Sequence, residues 1–439
     1  MGRYSIAAAD PFLILKSQGS KVEIIRRDGG VSLKKNADPF SELKKLLYEN
    51  AVLGGHATPP FAGGAIGYAG YEAKSWIEPR LSKKTSGNLG LPDLFFMFFD
   101  QGVIFDHQAE EIVLFASNVF RSSAAVAYQK TRESLNALEK KITGSQTHPT
   151  TNGERSRTTL TTKSRTTIKS SLGPSAFMKA VRAAKRYIKK GDIYQANLSQ
   201  RFEFPLKEDP LGVYHRLKNI NPSSFFAYLD AGDFQIISGS PERLVSLKES
   251  VLETRPIAGT RGRGRDSQQD ARFSRGLLLS PKERAEHIML VDLERNDLGR
   301  VAAYGTVRVD ELMVLEDYSH VKHIVSNIRG RLKKGVGAVD AFKAFFPGGT
   351  ITGAPKIRSM EIIDELEPVT RGPYTGSLGY FSFTGNMDFN IIIRSLVIKN
   401  HMGYLHTGSG IVADSIPRKE YEETLYKAEA VFQAVFGPK

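Results

Sequence analysis

The chain has 439 residues, 41% of them apolar, enough for one large core or two ordinary ones, and its lack of cysteine excludes disulfides, thiolate metal sites and a cysteine nucleophile. No run approaches the roughly 18 apolar residues of a membrane helix, and MGRYSIAAADPF lacks the charged start and apolar stretch of a signal peptide, so the cytoplasm is the expected compartment and no membrane partner is expected. A net charge of +14 raises nucleic acid, but six Lys or Arg against one Glu fall in residues 141–170 and the remaining arginines form no basic-aromatic array, so no nucleic-acid partner is expected either.

Short β-rich segments come first: FLILKS, VEIIRR, DLFFMFFDQGVIFD and EIVLFAS, separated by turn residues, read as strands. Residues 143–171, about half Ser and Thr and nearly without large apolar side chains, cannot repay the entropy of ordering and read as a flexible surface insertion. Next, Phe177, Val181, Ala184 and Ile188 recur at helical spacing between Pro174 and Lys190, and Gly191 is placed to stop that helix. Strands follow in YQANLSQRFEF (194–204), FFAYL, QIISG, RLVSL and VLETRPI. Ser280-Pro281-Lys282-Glu283 carries a capping box with proline at the first helical position, predicting a helix through about Leu293. GSLGYFSF, FNIIIRSLVI and GYLHTGSGIV then read as strands, with Arg394 inside an otherwise apolar one. A last helix starts at about Pro417, with Tyr421, Leu425, Ala428 and Phe432 as its apolar face and Glu420 and Glu423 one turn apart on a more polar side. The sum is an α+β protein.

Three loops of small residues are rich in backbone N–H groups: TRPIAGTRGRG (254–264), GGTITGAPK (348–356) and HTGSGIVADS (406–415). Neither GxGxxG nor the Walker pattern occurs, and each loop alone is as well explained by a tight turn. Together with Arg394 and Lys356 they suit a small polyanion, carboxylate as well as phosphate. Glu286 and Glu423 sit on two predicted helices. Spacing leaves two readings open for them, solvated helix charge or hard oxygen ligands of the kind Mg²⁺ takes.

In order along the chain, IYQANLSQRF, SGSPERLV, TRPIAGTRGRG, ERAEHIMLVDLERNDLGRV, YSHVKHIVSN, FPGGTITGAPKIRSMEIIDELEP, GSLGYFSFTGNMDFNIIIRS and GSGIVADS resemble the chorismate-utilising enzymes. The large synthase subunits of anthranilate synthase and aminodeoxychorismate synthase are the members most similar, densely over residues 174–437 and more thinly, in FAGGAIGYAGYE, over residues 1–140. The resemblance implies a large chorismate-binding fold of the component I type, with mixed and antiparallel sheets and helices packed outside. It divides the chain into an N-terminal β-rich region (1–142), the insertion (143–171) and a catalytic region (172–439).

By the same resemblance the anion is chorismate, a ring with two carboxylates. Gly259, Thr260, Thr350, Tyr374 and Arg394 would face it, Gly408, Ser409 and Gly410 would offer backbone N–H groups, and Lys427 would add positive charge. Glu286 and Glu423 would hold Mg²⁺. Glu242 matches the general acid that protonates the departing C4 hydroxyl. His323 matches a histidine kept near the ring, with a hydrogen-bonded structural role as its other reading. Gln195 stands where isochorismate-forming relatives carry a water-activating lysine; an amide is no base, so ammonia is the expected nucleophile. That disfavours an isochorismate or salicylate synthase, and the presence of Glu242, Glu286, Glu423 and Arg394 disfavours a noncatalytic subunit. Glutaminases of this system use a cysteine, so ammonia should come from a separate glutamine amidotransferase subunit.

The product is marked less sharply. Ala258 is typical of anthranilate synthases, whereas well-known aminodeoxychorismate synthases have lysine there. Asn197, Arg243 and GNMDFNIIIRS look more like aminodeoxychorismate synthases. The LLES-like segment by which anthranilate synthases bind tryptophan would lie before the residues given, so it is either absent or cut off. Amination at C4, giving aminodeoxychorismate, is the expectation; amination at C2 with loss of pyruvate, giving anthranilate, is the alternative.

Overall fold

The computed structural model describes residues 2–52, 59–81, 86–117, 123–144, 167–317 and 321–438. Alternation of apolar and polar side chains produces the strands Leu13–Gln18 and Lys21–Arg26, with Leu13, Leu15, Val22 and Ile24 turned inward. They belong to a 12-stranded sheet that starts at Ile257–Gly262 and passes through Val321–Arg331, Val251–Thr254, Arg243–Lys248, Met387–Asn390 and Ser377–Ser382. From there it continues into Gly64–Ala69, Leu94–Phe99, Leu13–Gln18, Lys21–Arg26 and Val31–Lys35, so strands from both ends of the chain share one ladder. A 7-stranded sheet runs from Phe225–Asp230 through Phe234–Ser240, Ser395–Lys399, Met402–Ile411 and Gln195–Pro205 to Gly353–Ala354. A 3-stranded sheet joins Tyr4–Ala7, Gln101–Asp106 and Glu111–Ala116.

The two large sheets pack face to face. Tyr68, Phe95 and Leu378 from one meet Phe234, Ile236 and Val397 from the other in one buried cluster. On the outer face of the 12-stranded sheet the helices Pro39–Glu49 and Ala338–Phe345 bury Phe40, Phe342 and Phe345 against Phe381 and Phe389, whose rings are 4.6 Å apart. Outside the 7-stranded sheet lie the helices Pro174–Lys189, Pro210–Ile220, Lys356–Leu366 and Pro417–Phe436. Each fully buried large apolar side chain of this kind contributes about 1.5–3 kcal/mol of transfer free energy.

The α+β class is as expected, and every pairing among the described strands is antiparallel, including in sheets expected to be mixed. Short hairpins join many neighbours, such as Leu13–Gln18 with Lys21–Arg26 and Ser395–Lys399 with Met402–Ile411, and a parallel pair would need a long crossover. Other expectations need correction. The stretch FNIIIRSLVI is not one strand: it breaks at Ile391–Arg394 between Met387–Asn390 and Ser395–Lys399, and Arg394 has φ 50°. The capped helix runs Pro281–Gly299, past Leu293, because no Gly or Pro interrupts it earlier, and a helix at Ser267–Leu279 precedes it. That earlier helix buries only Leu277, which is why periodicity did not signal it.

On the last helix the buried positions are Thr424, Ala428, Val431 and Ala434, while Leu425 is 39% exposed. A hydrogen bond of 2.6 Å from Gln200 Nε2 to Thr424 Oγ1 turns that face inward. Most of the Ser/Thr-rich stretch, with its expected flexibility, lies outside the described residues. Its ends do not match the expected limits: the helix Ala124–Thr143 includes the first residue, and Lys169–Ser170 pairs with Phe202 and Glu203.

Candidate active site

The chain passes from one large sheet to the other at two adjacent corners, and each corner carries a candidate residue. Pro241 and Glu242 connect Phe234–Ser240 to Arg243–Lys248, and Ile391–Arg394 connects Met387–Asn390 to Ser395–Lys399. The corners are tied by Ile391 N–H to the Glu242 carbonyl (3.0 Å) and by Gly239 N–H to the Arg394 carbonyl (3.2 Å). Glu242 is buried, and burial pushes its carboxyl up to about 7 against the opposing pull of Thr350, Arg394 and Lys427. Burial lowers the Arg394 pKa, while Tyr426 and Glu242 favour its charge.

Beside these corners runs the antiparallel strand pair Gln195–Pro205 and Met402–Ile411, which are far apart in sequence. Asn197 faces Gly410, Ser199 faces Gly408 and Arg201 faces His406, which puts these side chains on the inner face. Leu405 is the last residue of Met402–Ile411 that pairs with Ser395–Lys399, so residues 406–411 have a sheet partner on one edge only among the described residues. Alternate backbone N–H groups of that stretch are therefore turned toward the corners. Glycine is required there: a Cβ on Gly408 would stand 2.6 Å from Asn197 Oδ1 and 2.8 Å from the Tyr374 hydroxyl, and one on Gly410 2.6 Å from Gln195 Nε2. Tyr374 stacks on His406 with ring centroids 5.0 Å apart.

A third wall comes from Ile257–Gly262 and Val321–Arg331. Gly259 has φ 61°, the ladder shifts register there, and the backbone of Thr260 pairs with His323. The Gly259 carbonyl lies 3.4 Å from His323 Nδ1. Burial first, then the Arg394 charge, lower the His323 imidazole to about 4, so at neutral pH it is an uncharged base.

The fourth wall is made by two helices. Glu283 and Glu286 lie one turn apart on Pro281–Gly299, and Glu420 and Glu423 one turn apart on Pro417–Phe436. Burial, then the charges of Glu283 and Glu423, raise the Glu286 carboxyl, so the two acidic helices face each other. Lys427 is held by Glu423 (2.7 Å) and donates to the Gly408 carbonyl (3.0 Å), linking this wall to the glycine strand. Among the described residues no three acidic or histidine side chains converge as a complete ligand set. Two carboxylates from facing helices nonetheless fit Mg²⁺, which keeps several waters and takes the remaining oxygens from substrate.

Among the described residues several buried polar atoms of these walls have no hydrogen-bond partner: Gln195 Oε1, Asn197 Oδ1, Glu242 Oε1 and His406 Nε2. Buried polar groups are rarely left so, and their concentration on one interior face suits a polar ligand. The fold thus gathers Glu242, Arg394, Thr350, Tyr374, Gln195, Gly408, Gly410, Gly259, the Thr260 backbone and His323. Ser409 differs: it pairs with Leu198, so its side chain lies on the helix-covered face and only its backbone belongs to the glycine strand. Arg243 and Asp388 stand outside the site as partners of each other (3.1 Å), with Glu253 at 2.5 Å from Arg243. Sequence reasoning missed Glu283, whose Oε2 lies 2.9 Å from where a Gly259 Cβ would stand; the capping-box pattern had accounted for it already.

The pattern of the chorismate binding enzyme family matches residues 5–433. Aminodeoxychorismate synthase component 1 of Bacillus subtilis is 42% identical over 99% of this chain and 89% of its own length. Anthranilate synthase component 1 of Acetivibrio thermocellus is 40% identical over 99% of this chain and 87% of its own. The crystal structure of anthranilate synthase component I from Streptococcus pneumoniae superimposes with a TM-score of 0.82 at 34% identity, covering 98% of this chain and 92% of that one. The chain belongs to the chorismate binding enzymes.

Proposed function

We propose that this chain aminates chorismate at C4, as component I of an aminodeoxychorismate synthase, with ammonia supplied by a separate glutamine amidotransferase. The observation that carries an amination reading is the buried Glu242, its carboxyl pushed up to about 7 by burial and its Oε1 without a partner among the described residues, at the corner beside Arg394. A carboxyl poised near 7 is suited to give a proton to the departing C4 hydroxyl, which leaves as water, and Arg394 then stabilises the carboxylate that remains. Gln195 cannot deprotonate water, which leaves ammonia as the nucleophile, and His323 would stand near the ring as an uncharged imidazole. Glu286 and Glu423 would hold Mg²⁺, which when bound neutralises a substrate carboxylate.

Asn197, whose resemblance to aminodeoxychorismate synthases supports C4 chemistry, lies inside the site with its Oδ1 beside Gly408 and Tyr374. Arg243 and Asp388 lend it less, since they form one ion pair outside the site. Ala258, buried on Ile257–Gly262, supports the second reading, amination at C2 with pyruvate loss. Among the described residues no helix is long and apolar enough to cross a membrane. The 439 residues contain no cysteine, which supports a glutaminase thiol supplied by another chain. The test is to incubate the chain with chorismate, Mg²⁺ and ammonium and to identify the product by mass. Aminodeoxychorismate is expected; anthranilate with free pyruvate would replace the C4 reading by the C2 one.

A further inference from the structure

Beneath the site lies an arginine to which neither the motifs nor the proposed chemistry assigned a role. The Arg371 side chain is almost wholly buried and uses all five of its N–H donors. Nε and Nη2 bind the two oxygens of Glu367 at 3.0 and 2.7 Å. Nη1 donates to the Ile351 carbonyl (3.1 Å) and to Thr375 Oγ1 (3.1 Å), and the second Nη2 proton goes to the Asn197 carbonyl (2.6 Å). Glu367 extends the grip by accepting from Ser199 N–H (2.7 Å) and Ser199 Oγ (3.0 Å).

Apart from Glu367, these acceptors belong to three chain segments, and each is at or next to a residue of the site: Asn197 itself, Thr350 before Ile351, and Tyr374 before Thr375. The Tyr374 ring also lies over the guanidinium, 5.5 Å from its centroid. The N-terminal region completes the arrangement. Tyr71 covers the guanidinium at 4.7 Å, and the two Glu72 oxygens accept the backbone N–H groups of Arg371 (3.0 Å) and Gly372 (2.9 Å). The stretch GYAGYE thus has a use in holding the catalytic pocket.

We infer that Arg371 is a positioning residue for turnover of chorismate: one rigid guanidinium sets Asn197, Thr350 and Tyr374 at fixed distances from one another. The inference rests on the chorismate-amination reading of the site. A planar fork with five fixed donors is what the five acceptors need, and lysine, with three donors on a flexible stem, cannot reproduce it. Misplacement of catalytic groups by about 1 Å costs on the order of 100-fold in rate.

The experiment uses the full chain with Mg²⁺ and ammonium and follows chorismate disappearance, a readout independent of which product forms. Arg371→Lys, Arg371→Ala and Thr375→Val are compared at a temperature where circular dichroism shows each folded. Folded Arg371→Lys should lose about 100-fold in kcat/KM. Arg371→Ala should recover at least part of its loss on adding sub-denaturing guanidinium, which should not help wild type. Thr375→Val removes one acceptor and nearly preserves shape, so it keeps the inference testable if the arginine variants do not fold; it should lose about tenfold in kcat/KM. Folded Arg371→Lys or Thr375→Val with wild-type kcat/KM and only a lowered melting temperature would overturn the inference and leave the functional reading standing. A wild-type chain that consumes no chorismate would overturn both.

Discussion

Replacing Glu242 by glutamine removes an acid and changes the pH dependence of folding in a way the structure lets one compute. The carboxyl is buried, and burial raises it from 4.5 to about 7. At about 1.4 kcal/mol per pH unit, the cost of ionising it in the folded protein reaches about 3 kcal/mol. The sign follows from linkage. A group whose folded pKa is raised gives its full stability below the unfolded value, near 4.5, and loses it as pH rises through about 7. Glutamine has nothing to ionise. Urea unfolding should therefore show Glu242→Gln close to wild type at pH 4 and more stable than wild type, by as much as about 3 kcal/mol, at pH 8.5. Turnover should move the opposite way. Loss of the proton donor should lower kcat by about 100-fold or more, with a smaller change in chorismate KM. In wild type kcat/KM should fall on the alkaline side, above about pH 7, as this acid ionises. An unfolding difference that is the same at both pH values would show that Glu242 is not a buried, neutral acid. A variant retaining wild-type kcat would refute its role as proton donor.

Two further perturbations follow from the other walls of the site. Glu423→Gln removes one proposed Mg²⁺ ligand and the half-exposed partner of Lys427, so stability should change by no more than about 0.5 kcal/mol, while the Mg²⁺ concentration for half-maximal activity should rise about tenfold or more; an unchanged Mg²⁺ titration would refute the ligand assignment. Gly408→Ala places a methyl 2.6 Å from Asn197 Oδ1 and 2.7 Å from the Leu198 carbonyl. It should cost about 1–3 kcal/mol in urea unfolding and raise chorismate KM, and wild-type values for both would show that the strand does not line the pocket.

Glu242 and Arg394 show how a residue can be legible in sequence while its setting is not. The motifs SPERLV and FNIIIRS identify both residues, yet the second reads as a continuous apolar strand. Its break comes from the fold: the chain must leave the 12-stranded sheet and enter the 7-stranded one, and Arg394 sits at that corner with a positive φ. The last helix shows the same limit. Helical spacing finds the helix and its acidic pair, but Thr424 is buried instead of Leu425 because Gln200 on a distant strand supplies its hydrogen bond.

Local chemistry was sufficient for whatever acts within a few residues: the Ser280 cap, the strand alternation in FLILKS, the glycine loops and the absence of any thiol. Only the tertiary structure decided which of these groups meet and in what charge state. Arg371 reaches the Asn197 carbonyl across 174 residues and Glu72 reaches Arg371 across 299, and spacing carries no record of such contacts. The protonation of Glu242 and His323 belongs to the same class, because desolvation depends on what packs around a side chain from every direction, and a linear pattern specifies only its neighbours along the chain.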